Sequence, residues 1–145
     1  MSRWSVAIAD DNERMVEILD GILRQDEDLQ IVGVARNGEE ACRIIKEKEP
    51  DIVLLDIIMP KLDGLSVMEK VGQDMNMKKK PEFVVISAIG QERITEDAFL
   101  LGASYYIMKP FDHEMLLNRI QSLKTDRQRK RTEIRKVAPY ETKMA

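Results

Sequence analysis

The sequence predicts a doubly wound α/β fold on a parallel sheet. Three observations carry that expectation: five short, nearly unbroken apolar runs, five stretches of helical spacing, and alternation of the two along the chain. An apolar run without polar alternation suits a strand covered on both faces, as in a parallel sheet between helix layers. Alternating strand and helix, joined by right-handed crossovers, gives the doubly wound arrangement.

The apolar runs occupy residues 6–9, 31–35, 52–55, 83–86 and 105–108. Met15, Ile18, Leu19, Ile22 and Leu23 form one helical face after the first run. The stripes Ala41, Ile44, Ile45, then Leu65, Met68, Val71, then Ile94, Ala98, Leu101, and last Leu116, Ile120, Leu123 mark four more helices. Asn12, Asn37 and Asp112 suit N-caps, and Gly102 can close the fourth helix. Beyond Leu123 the stretch KTDRQRKRTEIRK has charge without an apolar stripe. Residues 1–123 are therefore expected to form one domain. Residues 124–145 are expected to be a charged linker or tail, frayed or disordered, with a solvated extension of the last helix as the alternative.

Composition narrows the classes. At 145 residues, 43% hydrophobic and 34% charged, the chain has the makeup of a globular domain. No apolar run nears the roughly 20 residues of a membrane span, and the first residues lack the pattern of an export signal. A lone Cys42 cannot form an internal disulfide, which fits a reducing compartment, so a cytoplasmic location is expected. The net charge of −3 divides into +5 over residues 124–145 and −8 over the rest. An acidic domain argues against nucleic-acid binding by the domain itself.

The run VLLDIIMPKLDG raises the chemical question, because a buried carboxylate such as Asp56 is costly without compensation. Ligands of open α/β sheets bind beyond the carboxyl ends of the strands. The first strand runs into Asp10-Asp11, the third ends on Asp56, the fourth on Ser87-Ala88, and the fifth leads into Lys109-Pro110. If the first and third strands are neighbours, three carboxylates meet, and a hard divalent cation, above all Mg²⁺, relieves their repulsion. A carboxylate, a metal cradle, a hydroxyl and a cation are the parts for phosphoryl transfer to a carboxylate. Taken singly, Asp10 and Asp11 also suit a helix start, Ser87 a turn, and Lys109 a solvated surface.

In their order and spacing, AIADDN, VLLDIIMPKLDG, VISA and YYIMKPF resemble the receiver domain of bacterial two-component response regulators over about residues 5–123. GVARNGEE, LDIIMPKLDGL and GASYYIMKPFD are most similar to the sporulation-initiating branch of that family. The resemblance implies a flavodoxin-like five-stranded sheet of order 2-1-3-4-5 with helices on both faces. It implies that Asp56 accepts a phosphoryl group from a phosphohistidine on a sensor kinase or phosphotransfer protein. Mg²⁺ would be held by Asp11 and Asp56 directly, by Asp10 largely through water, and by the Ile58 carbonyl. Ser87, Lys109 and the Ala88 amide would contact phosphoryl oxygens, Tyr106 would be the aromatic switch, and Lys109-Pro110 would be cis.

The fourth helix, fifth strand and fifth helix would form the readout surface, with a homodimer on phosphorylation. A transcriptional output domain is expected outside this sequence. Such a receiver is a signalling module that catalyses its own phosphorylation, not an enzyme releasing product. A phosphatase of the dehalogenase type would carry a second acid where Ile58 stands, and a nucleotide-binding domain would want a Gly-rich loop where ADDNERM stands. DNA binding by the basic tail is a further, weaker reading.

Overall fold

The computed structural model describes residues 3–134, with side chains as far as residue 126. In chain order the elements are β1 (Trp4–Ala9), α1 (Glu13–Leu23), β2 (Leu29–Ala35), α2 (Gly38–Lys48), β3 (Ile52–Leu55), α3 (Gly64–Gln73), β4 (Glu82–Ser87), α4 (Glu92–Leu100), β5 (Ala103–Met108) and α5 (His113–Ile134). The described residues divide into two compact units, residues 3–111 and 112–134. In the first, five parallel strands lie in the order β2-β1-β3-β4-β5, as expected. The second unit is α5, opened by His113, with the Asp112 carboxylate accepting from the Glu114 amide. This helix continues through residues 124–134; the expectation for residues 135–145 falls outside the described residues.

The central strands are apolar throughout because both their faces are buried. Val6, Ile8, Ile52, Val53, Leu54, Leu55, Val84, Val85 and Ile86 are each at most 1% exposed, and each such burial contributes about 1.5–3 kcal/mol. Punctuation follows local chemistry. Asn12 and Asn37 accept from the Met15 and Glu40 amides, and Gly102, at φ 108°, ends α4. Asp63, a cap that pattern reading overlooked, accepts from the Ser66 amide at 2.8 Å and starts α3.

At the edge where the strands begin, Asp51 ties β1 to β3. Its carboxylate accepts from the Ser5 amide at 2.8 Å and from Lys79 Nζ at 2.9 Å. Burial pushes the carboxyl up, but the Ser5 and Lys79 contacts outweigh it and hold the group below its ordinary 3.8. A lowered folded value adds stability that is complete above 3.8 and fades as pH falls through the folded value. Asp51→Asn is thus expected to lower the urea midpoint at about pH 7, with the gap from wild type narrowing at about pH 3. An equal gap at both values would refute the electrostatic origin.

Candidate functional site

Parallel strands present all their carboxyl ends at one edge of the sheet, and the chemistry-bearing residues lie one step past those ends. β1 and β3 are neighbours, with Ala9 opposite Leu55, so Asp10 and Asp56 follow paired residues. The Asp56 amide donates to the Ala9 carbonyl at 2.9 Å, which carries the ladder one rung further and fixes the backbone beneath the carboxylate. Ligand oxygens of Asp10, Asp11 and Asp56 lie within 4.8 Å of one another; Asp10 and Asp56 are buried and Asp11 is exposed.

Lys109 enters this cluster from β5. Its Nζ donates to Asp10 Oδ2 at 3.0 Å and to Asp56 Oδ2 at 3.2 Å. Its amide donates to the Ser87 carbonyl at 2.9 Å, and the Lys109-Pro110 peptide is cis. The remaining oxygens are held by backbone. Asp10 Oδ1 accepts from the Asn12 amide at 2.9 Å, and Asp56 Oδ1 from the Ile58 amide at 3.3 Å.

The electrostatics follow from this count of partners. Burial pushes the Asp56 carboxyl up, Lys109 opposes that, and Asp10 adds to it. Burial alone would pull the Lys109 ammonium down, but Asp10 and Asp56 together leave it raised. One cation shared between two buried acids is itself well compensated while leaving Asp56 short of positive charge.

Every donor in the cluster is a carboxylate oxygen, the ligand type of Mg²⁺, Mn²⁺ or Ca²⁺ rather than of zinc or copper. Carboxylate oxygens within 4.8 Å of one another lie close enough to share one such ion. The residues present fit the ion.

Ser87 is fully buried at the end of β4, its Oγ accepting from the Ile89 amide at 3.3 Å, and Ala88 is exposed just beyond it. Tyr106 donates its hydroxyl to the Ile89 carbonyl at 2.5 Å, and burial pushes its phenol up, partly offset by the Ser87 and Thr95 hydroxyls beside it. Ile58 turns its side chain outward, 59% exposed, while its amide stays on Asp56.

Two glycines that shape the site are not obvious from spacing. A β-carbon on Gly64 would meet the Asp56 carbonyl oxygen at 2.3 Å, and one on Gly38 would meet the Leu62 carbonyl oxygen at 1.9 Å. These close approaches fold the loop after β3 back on itself, helped by the Gly64 amide donating to the Ile57 carbonyl at 2.7 Å. The Asp-Gly pair ahead of an apolar stripe was the available signal. Gly64→Ala is expected to push the Asp56 backbone aside and cost about 1–3 kcal/mol, the range for overpacking against fixed atoms, read from the urea midpoint. Full wild-type stability would contradict the close packing.

A family model described as the response regulator receiver domain matches residues 6–121. Among solved structures, the CheX–CheY–BeF3–Mg²⁺ complex from Borrelia burgdorferi matches at 35% identity and TM-score 0.76, covering 84% of this chain and 90% of that one. The response regulator domain of Thermotoga maritima CheB matches at 26% identity and TM-score 0.73, covering 84% and 97%. A signal receiver domain of a Luxo repressor protein from Vibrio parahaemolyticus, 19% identical at TM-score 0.80 over 90% and 98%, shares the fold.

Proposed function

The chain belongs to the response regulator receiver domain family, and from that membership we propose that it is a phosphoacceptor module with Asp56 as the acceptor. One observation carries the reading: Lys109 Nζ bridges Asp10 and Asp56 inside a cluster of three carboxylates at the edge where ligands of such sheets bind.

In the proposed step an Asp56 carboxylate oxygen attacks the phosphorus of a phosphohistidine on a sensor kinase or phosphotransfer protein. The O–P bond forms, the P–N bond breaks, and the imidazole leaves with the electron pair and takes up a proton. Asp10, Asp11, Asp56 and the Ile58 carbonyl would hold Mg²⁺, which supplies positive charge for the transferring oxygens. Lys109 adds a fixed cation, the Ser87 hydroxyl and Ala88 amide donate to phosphoryl oxygens, and Asp56 is positioned by the Ala9 and Ile58 contacts.

Output is proposed to pass through the loop after β4. A phosphoryl group adds about −1.5 to −2 charge and new acceptor oxygens. These accept from the Ser87 hydroxyl and draw it away from the Ile89 amide, which now donates to its Oγ, while Tyr106 holds the carbonyl of the same residue. Ile89 therefore couples the acceptor to α4 and β5, where Phe99 and Leu100 are 48% and 84% exposed. A homodimer formed on phosphorylation is the proposed consequence. A transcriptional output of the sporulation type is supported by the motif wording alone, and a cytoplasmic location by the phosphorelay reading. Among the described residues no helix is long and apolar enough to cross a membrane.

Incubation with a small phosphodonor is expected to add one phosphoryl mass in Mg²⁺ and none in chelator, and sedimentation with beryllofluoride to show dimer. Mass gain in chelator would overturn the metal dependence, and monomer in both conditions would overturn the dimer.

A further inference from the structure

β5 ends in a contact that the acceptor chemistry leaves unused. Side chains two apart on a strand share a face, so Tyr106 and Met108 project the same way. Tyr106 holds the Ile89 carbonyl. Met108 lies over the next residue: a β-carbon on Gly90 would meet its Sδ at 2.7 Å and its Cε at 2.6 Å. Two neighbouring side chains of β5 thus grip consecutive residues of the loop that carries Ser87 and Ala88. Met108 is tied to the site in two further ways, pairing with Ser87 across the sheet and directly preceding Lys109. Yet Met108 is 46% exposed, whereas Met59 and Met68 are buried.

We propose that Met108 is an oxidation site through which a hydroperoxide slows phosphoryl transfer to Asp56, a regulation that rests on the acceptor reading above. A sulfur lone pair attacks one oxygen of hydrogen peroxide. The S–O bond forms, the O–O bond breaks, and the departing hydroxide takes the proton of the transferred oxygen to leave as water. The thioether loses two electrons and the peroxide gains them. The resulting sulfoxide is polar and chiral, and it is reversible by reductases. Its oxygen lies on the exposed side from which the peroxide arrives and draws water onto the sulfur, which weakens the apolar seat of the thioether on Gly90. The seat on Gly90 opens, and the loop positioning Ser87 and Ala88 loses one of its two grips. Met75, 95% exposed and just past α3, is an internal control that oxidises without touching that loop.

The test compares wild type, Met75→Leu and Met108→Leu, each before and after hydrogen peroxide. Peptide mass mapping locates sulfoxide, intact mass follows phosphoryl uptake from a small donor in Mg²⁺, and amide exchange reports Ile89 and Gly90. Leucine keeps an apolar side chain of similar volume and cannot form a sulfoxide. Wild type and Met75→Leu are expected to oxidise at Met108, lose phosphoryl uptake severalfold, and exchange the Ile89 amide, now donated to Ser87 Oγ, faster. Met108→Leu is expected to keep its own untreated rate and exchange after treatment, even if Cys42 or another methionine is oxidised. An unoxidised Met108 beside an oxidised Met75, an unchanged uptake rate with Met108 fully oxidised, or an equal loss in Met108→Leu would each overturn the proposal. Failure of the untreated protein to take up phosphoryl would instead sink the acceptor reading, and unchanged Ile89 exchange would then overturn the latch independently.

Discussion

Asp56→Asn is expected to take up no phosphoryl group under conditions that load wild type, while the metal-free protein stays folded and gains stability. The first half follows from chemistry, since an amide oxygen lacks the charge that makes the carboxylate a nucleophile. The second follows from linkage. Burial raises the folded value of the Asp56 carboxyl, Asp10 adds to this, and Lys109 only partly opposes it. A carboxyl raised by folding weakens the folded state once pH passes its unfolded value, because the ionised form is the one folding disfavours. At neutral pH the ionised Asp56 therefore works against folding, and Asn removes that opposition. Urea midpoints in chelator should be higher for Asp56→Asn than for wild type. A lower midpoint would mean that the bond from Lys109 outweighs the burial of the charge.

The opposite substitution tests the cation. Lys109→Met removes the group that donates to Asp10 at 3.0 Å and to Asp56 at 3.2 Å. Loss of one preorganised charge facing a transition state costs about 10²–10³ in rate, and this is the fall expected for phosphoryl uptake at saturating Mg²⁺. The two acids also lose their internal counter-charge, so the cluster is expected to bind a divalent cation more tightly as uptake slows. Tighter cation binding with slower transfer separates a lost catalytic charge from simple unfolding, which would weaken both. An uptake rate equal to wild type would remove Lys109 from the chemistry.

Much of this site is legible in the sequence, and the reason is topological. Parallel strands put every carboxyl end on one edge, so Asp10, Asp11, Asp56, Ser87 and Lys109 can be placed together from the ends of four apolar runs. Whether they touch depends on strand order, and the pairing of β1 with β3 decides it. What stays hidden arises from contacts between segments distant in sequence. Gly38 and Gly64 look like ordinary helix-start glycines until the loop after β3 folds against them. Tyr106 reads as an aromatic near a strand end, but its partner is a backbone carbonyl, which has no sequence signature. Asp51 has no local signature, because its partners Ser5 and Lys79 lie in other segments of the chain. In the last helix, sparse apolar spacing after Leu123 leaves fraying and a solvated extension both open, and α5 runs to Ile134.

The most direct measurement reduces the phosphorylated protein with borohydride, which converts a phosphoaspartate to homoserine, and then locates that residue by peptide sequencing in a mass spectrometer. Homoserine is expected at position 56, in samples loaded with Mg²⁺ and in none treated with chelator. Homoserine at Asp10, Asp11 or any other carboxylate, or conversion at position 56 in chelator, would contradict it.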